Sequence, residues 1–118
     1  MILIVDDEPS IREIISTTIE SYDYHSILAS NSQQAIELYT EHHLEIKTIL
    51  LDYAMPGGNP YQTIARLHSI YPNTHIIIMS GLSPAEIAAK NHGTSIDAFL
   101  AKPFSTQDLL RTLKAVLN

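Results

Sequence analysis

The stretch Ile49-Leu50-Leu51-Asp52-Tyr53-Ala54-Met55-Pro56-Gly57 decides how this chain is organised. Three aliphatic residues run into an acid, and a Pro-Gly pair shortly after forces a turn. An acid so placed stands at the carboxyl end of a buried strand, facing solvent while its backbone stays fixed. Such a carboxylate is a ligand, a nucleophile or a cap. The residues elsewhere in the chain must decide among the three.

Working outward, the same kind of segment recurs. Met1 to Asp6 is aliphatic and ends in Asp6-Asp7-Glu8, and His75 to Ser80 carries Ile76-Ile77-Ile78-Met79. Tyr24 to Ala29 and Ala98 to Ala101 are shorter strand candidates. Continuous aliphatic strands suit a parallel sheet covered on both faces. Between them lie helical patterns. Ile11, Ile14, Ile15, Thr18, Ile19 and Tyr22 form the first, with a capping box expected from Ser10 and Glu13.

Asn31 or Ser32 can cap the second helix, whose inner face carries Ala35, Leu38 and Tyr39. Ile64, Leu67 and Tyr71 mark the third, before Pro72-Asn73. Ser83-Pro84-Ala85-Glu86 starts the fourth with a capping box and Pro at the first helical position, and His92-Gly93 ends it. Ser105 opens the last, with Leu109, Leu110, Leu113, Val116 and Leu117 inward. Strands and helices alternate strictly as (βα)5. That predicts a doubly wound α/β fold of the flavodoxin-like kind, and five strands favour the order 2-1-3-4-5 over 3-2-1-4-5-6.

Length and composition agree with one domain spanning 1–118, with 45% hydrophobic and 17% charged residues. No apolar run approaches the roughly 20 residues of a membrane span, and the amino end reaches acids too early for a signal peptide. No membrane contact and a cytoplasmic location are therefore expected. The chain has no cysteine, which excludes disulfides, thiolate metal sites and thiol nucleophiles. A net charge of −6 with scattered Lys and Arg argues against direct nucleic-acid binding. His42-His43 is not a plausible ligand pair, because neighbours on a helix point about 100° apart. His25 and His75 are expected at strand edges as structural groups, and His68 on an exposed helix face.

In the order 2-1-3-4-5, the first and third strands are neighbours. Asp6 and Asp7 then stand beside Asp52, with Ser80 and Lys102 ending the fourth and fifth strands on the same rim. Three close carboxylates repel one another unless a cation compensates. An oxygen-only donor set suits a hard divalent ion such as Mg²⁺ (or Mn²⁺). Lys102 and Ser80 are suited to phosphoryl oxygens, and Asp52 to in-line attack on phosphorus. The set makes sense as a phosphoryl-accepting site.

These motifs, Asp6-Asp7, Leu51-Asp52-Tyr53-Ala54-Met55-Pro56-Gly57, Ser80-Gly81 and Lys102-Pro103-Phe104, together resemble the receiver domain of two-component response regulators across the whole chain. The resemblance implies that Asp52 accepts a phosphoryl group from a kinase phosphohistidine. It implies Asp7 and Asp52 as direct metal ligands, Asp6 acting largely through water, and the Ala54 carbonyl completing the set. Lys102 would contact the phosphoryl group, Ser80 would swing toward it, and the rotamer of Phe99 would follow. The implied partners are a histidine kinase or histidine phosphotransfer domain, and a downstream protein or output domain reading the fourth helix, fifth strand and fifth helix.

Phe99 stands where a tyrosine is common, so that ring lacks a hydroxyl but can still turn inward. The stretch Thr94-Ser95-Ile96-Asp97-Ala98 is longer than the common family pattern, and Pro60 stands where many relatives have Gly. Ala54 and Leu82 flank the path of a hydrolytic water without being able to orient it, which predicts slow autodephosphorylation. Met79-Ser80-Gly81-Leu82 and the segment from Gly93 to Phe104 are similar to receivers of hybrid sensor histidine kinases. With no output domain after Asn118 in this sequence, the expected context is such a kinase or a stand-alone regulator. The domain by itself is expected not to be an enzyme. A haloacid-dehalogenase-like phosphatase wants its nucleophile and a second acid two residues apart after the first strand and a cap insertion; here Asp6 is followed by Asp7 and Glu8, and no cap insertion exists. A pseudo-receiver that binds partners without phosphorylation is the remaining alternative.

Overall fold

Aliphatic strands alternate with amphipathic helices along the entire chain: β1 (Ile2–Val5), α1 (Pro9–Glu20), β2 (Ser26–Ala29), α2 (Ser32–His42), β3 (Thr48–Asp52), α3 (Pro60–Ile70), β4 (Ile76–Ser80), α4 (Pro84–Ala89), β5 (Ala98–Ala101) and α5 (Thr106–Leu117). The computed structural model describes residues 1–89 and 95–117. The strands form one parallel sheet in the order β2-β1-β3-β4-β5, as the alternation predicts. No helix among the described residues is long and apolar enough to cross a membrane.

Side chains alternate between the faces of a strand, and that alternation divides the core. Leu3 and Val5, Ile49 and Leu51, and Ile76 and Ile78 belong to one apolar cluster, with Ala35, Ile36 and Tyr39 of α2, Ile64 and Leu67 of α3, and Ile87 of α4. Ile2 and Ile4, Leu50, Ile77 and Met79 belong to the other, with Ile15 and Ile19 of α1 and Leu109 and Leu113 of α5. Every residue of β1, β3 and β4 is buried, which is why those strands are aliphatic throughout.

Local chemistry sets the helix starts. Asn59 accepts hydrogen bonds from the amides of Tyr61 (2.9 Å) and Gln62 (3.4 Å), with Pro60 next in the first turn, so Pro60 begins α3 as a helix opener. The Ser83–Glu86 capping box forms, with reciprocal bonds of 2.9 and 3.2 Å. Ser105 is paired likewise with Asp108, at 3.2 and 3.0 Å. The Ser10–Glu13 box does not form. Helix α1 begins at Pro9, Glu8 occupies the cap with no side-chain bond, and Pro supplies the preset backbone instead.

Other expectations shift slightly. β2 starts at Ser26 and β4 at Ile76, later than the aliphatic and aromatic flanks suggested. Tyr71 is not inward but 38% exposed, because α3 ends at Ile70 and Tyr71 leaves in an extended conformation. His68 is half-buried, its Nε2 3.2 Å from the Thr74 carbonyl oxygen. The expected helix end at His92-Gly93 lies outside the described residues. Of the long α4–β5 connection, Asp97 is clasped to β4: its carboxylate accepts from the Ile76 amide at 2.7 Å and its own amide donates to the Ile76 carbonyl at 2.9 Å.

Leu51 is fully buried, whereas Leu44 is 85% exposed. Truncating Leu51 to Ala should therefore lower the unfolding free energy by about 2–5 kcal/mol, and Leu44→Ala should stay within about 0.5 kcal/mol. Urea denaturation of the two variants beside the parent chain measures both.

Candidate phosphoryl-acceptor site

The register Val5–Leu51 brings the ends of β1 and β3 side by side, so the next residues, Asp6 and Asp52, are neighbours. Both are buried, and Asp7 is exposed. Carboxylate oxygens of Asp6, Asp7 and Asp52 all lie within 4.8 Å of one another. Lys102 arrives from the end of β5, one residue past Ala101, which pairs with Ser80. Its ammonium donates to Asp6 Oδ2 at 3.0 Å and to Asp52 Oδ1 at 3.1 Å. Three carboxylates and one ammonium thus share the rim, as the strand order requires.

Backbone groups fix the acids. The Glu8 amide donates to Asp6 Oδ1 at 3.0 Å, and the Ala54 amide to Asp52 Oδ1 at 3.3 Å. On β4, Ser80 accepts at Oγ from the Leu82 amide at 2.9 Å, leaving its hydroxyl hydrogen for another acceptor. Lys102 continues the ladder with a backbone bond from its amide to the Ser80 carbonyl at 2.8 Å, followed by a cis peptide to Pro103. Phe99 is half-buried, lies beside Ile78 in the register, and packs against the α4-side core.

Electrostatics follow from the geometry. Burial pushes the Asp52 carboxyl above its ordinary value, and the Asp6 charge adds to this; Lys102 and the Ala54 amide pull the other way without cancelling it. Burial alone would lower Lys102, yet the adjoining Asp6 and Asp52 carboxylates outweigh it and hold the ammonium above its ordinary value. The site is acid-rich and undercompensated. That donor set, oxygen only and with carboxylates converging, fits a hard divalent cation.

Two neighbours of the site were not legible in the sequence. Arg12 of α1 donates to the Asp6 carbonyl at 2.6 Å, tying α1 to the end of β1. Next to Asp52, Tyr53 and Tyr61 meet with ring centroids 5.9 Å apart and nearly perpendicular. Their hydroxyl oxygens are 3.1 Å apart, and Tyr61 donates to the Ile87 carbonyl at 2.8 Å. Burial pushes the Tyr61 phenol up to about 12. By contrast His42 and His43 do not converge on a site: His42 faces Glu41 and Glu45, and His43 lies beside the Tyr39 and Tyr71 rings.

Fold and rim together define a doubly wound α/β domain with an acidic cluster at the carboxyl ends of its central strands. The chain belongs to the response regulator receiver domain family, whose model matches residues 2–114. It is 36% identical to the phosphate regulon transcriptional regulatory protein PhoB of Pseudomonas aeruginosa over 119 residues, covering 99% of this chain and 51% of that protein. The chain spans about half the length of the curated relatives it matches. Among solved structures, the chemotaxis protein CheY4 of Vibrio cholerae superposes with a TM-score of 0.90 at 26% identity, covering 98% of this chain and 97% of that one. The beryllofluoride-activated NtrC4 receiver domain dimer gives 0.85 at 32% identity, covering 98% and 94%.

Removing the ammonium leaves two buried carboxylates facing each other. The folded-state pKa of Asp52, already raised by burial and the Asp6 charge, then rises further above the unfolded one, so protonation favours the fold and stability falls as pH rises. Lys102→Met should cost about 3 kcal/mol near pH 7, and the deficit should narrow toward about pH 4 as a shared proton replaces the cation. Urea unfolding across that interval tests this; a deficit independent of pH would contradict it.

Proposed function

We propose that Asp52 is the phosphoacceptor of a two-component phosphorelay, receiving its phosphoryl group from the phosphohistidine of a histidine kinase or histidine phosphotransfer domain. The observation that carries this is the Lys102 ammonium bridging Asp6 and Asp52 at 3.0 and 3.1 Å, with Asp7 in the same cluster. A carboxylate oxygen of Asp52 attacks phosphorus, the P–O bond forms as the P–N bond breaks, and the imidazole leaves with the electron pair. Lys102, already 3.1 Å from the nucleophilic carboxylate, moves its donors onto the phosphoryl oxygens. Ser80 donates its hydroxyl hydrogen to the same group.

Asp6, Asp7, Asp52 and the Ala54 carbonyl would hold Mg²⁺ (or Mn²⁺), Asp6 largely through water. The ion supplies charge neutralisation for the phosphoryl oxygens and the crowded carboxylates. Once Ser80 has turned, Phe99 follows inward, and the surface formed by α4, β5 and α5 carries the signal to a downstream protein or output domain. The domain so read is cytoplasmic and is no enzyme toward other molecules. Its parent is read as a hybrid sensor histidine kinase or a single-domain regulator, the first supported by the Met79-Ser80-Gly81-Leu82 phrase.

Acetyl phosphate with Mg²⁺ should label the chain once, on Asp52. Chelation with EDTA and Asp52→Asn should each abolish the label, and Lys102→Ala should slow it about 100-fold. Phosphate-affinity electrophoresis and intact mass report these outcomes. No labelling by any donor would instead mark a pseudo-receiver.

The exposed Ala54 and Leu82 offer no side-chain hydrogen bond to a water approaching the phosphoryl group. The aspartyl phosphate should therefore survive for minutes or longer with Mg²⁺ present, and Ala54→Asn should shorten its life. Loss of the label within seconds in the parent chain would refute this.

A further inference from the structure

The hydroxyls of Tyr53 and Tyr61 form a directed chain. A carbonyl can only accept, so the Tyr61 hydroxyl must donate to Ile87; its oxygen then accepts from the Tyr53 hydroxyl. This chain leads from the residue after Asp52 to helix α4. Strand alternation explains its path: Asp52 shares its strand face with Leu50, whereas Tyr53 packs on the opposite, α4-bearing side. The backbone of Tyr53 is also tied to β4, its amide donating to the Met79 carbonyl at 2.9 Å, beside Ser80.

Among the described residues, helix α4 has little else to hold it. Ile87 is the buried residue of its described part, and the other residues from Pro84 to Ala89 are exposed. Ile87 also faces the other side of the switch: Ser80, Phe99 and Ile87 line a cavity of about 60 Å³. A phenyl ring turning inward there meets Ile87. The residue that must yield is the one whose carbonyl Tyr61 holds.

We propose that the Tyr53–Tyr61–Ile87 relay is a brake that holds α4 in the arrangement of the unmodified domain and is released when Phe99 moves inward. This rests on the phosphoacceptor reading of Asp52. The relay adds one hydrogen bond to the resting arrangement alone, so removing it shifts the balance toward the active arrangement by about fivefold. Because Tyr53 adjoins the acceptor, the brake also connects the β3–α3 loop directly to α4, independently of Ser80.

Beryllofluoride with Mg²⁺, a stable stand-in for the phosphoryl group, provides the test on the full 118-residue chain. In the parent chain, beryllofluoride should speed amide exchange in Pro84–Ala89. Tyr61→Phe should raise that exchange about fivefold without the ligand, leave it little changed with the ligand, and tighten beryllofluoride binding about fivefold. Tyr53→Phe removes only the first hydroxyl and should act in the same direction with a smaller effect, which keeps the test decisive if Tyr61→Phe folds poorly. Unchanged beryllofluoride affinity in both variants overturns the brake, as does equal loosening of α4 with and without ligand, the mark of a static anchor. If the parent chain takes neither beryllofluoride nor acetyl phosphate, the phosphoacceptor reading fails and the brake fails with it. If it takes both and the variants behave as the parent, the brake alone fails.

Discussion

One ammonium between two buried carboxylates is the constraint on which the carboxyl rim of this domain depends. Asp6 and Asp52 are placed beside each other by the pairing of β1 with β3, and both are removed from water. Desolvation and the neighbouring Asp6 charge each oppose ionisation of Asp52. Lys102 offsets part of that cost, but only because β5 ends within reach and its backbone is fixed to Ser80. The charge balance of the rim therefore requires the complete five-strand order. It still leaves an excess of negative charge, which adds to burial in keeping the Asp52 carboxyl above its ordinary value and makes the cluster receptive to a cation.

The period of two along each strand then divides the rim residues between the two faces of the sheet. Asp6, Asp52 and Lys102 stand at the end of the face covered by α1 and α5, and Ser80, Phe99 and Tyr53 at the end of the face covered by α2, α3 and α4. On the function proposed above, a group attached to Asp52 is made on one side of the sheet and sensed on the other. Only rim residues reach both. Ser80, at the end of β4, is one such residue, and Tyr53, whose backbone leaves directly from Asp52, is another.

The strand order and acidic rim could be read from residues because they depend on periodicity and on acids that end aliphatic runs. Burial of β1, β3 and β4 on both faces leaves an unbroken aliphatic signature, and Asp6, Asp7, Asp52, Ser80 and Lys102 fall at or just past strand ends. What escaped the sequence required knowing which distant groups meet. Tyr61 carries the marks of an ordinary helix residue until α4 brings the Ile87 carbonyl within 2.8 Å. Arg12 likewise looks like a surface charge until α1 folds back on Asp6. The Ser10–Glu13 box failed for a local reason: Pro9 lies one residue upstream and claims the first turn, so a correct motif was displaced by a stronger helix opener. Asp97 shows the opposite case, an acid in an overlong connection whose purpose appears only through its bonds to Ile76.

A domain that reports a covalent change on one carboxylate needs an element held strongly enough to define a resting state and weakly enough to leave it. On the reading proposed for Asp52, helix α4 meets both requirements. Its start is fixed by the Ser83–Glu86 box, while its described body buries a single residue. The central strands cannot serve, because burial on both faces leaves them no second arrangement of comparable energy. A hydrogen bond contributes only about 1 kcal/mol net, which is trivial against the sheet but decisive against one buried isoleucine. For the brake proposed above, the position of the Tyr61 bond therefore matters more than its strength: the bond is made where a small energy would tip the balance between the two proposed arrangements.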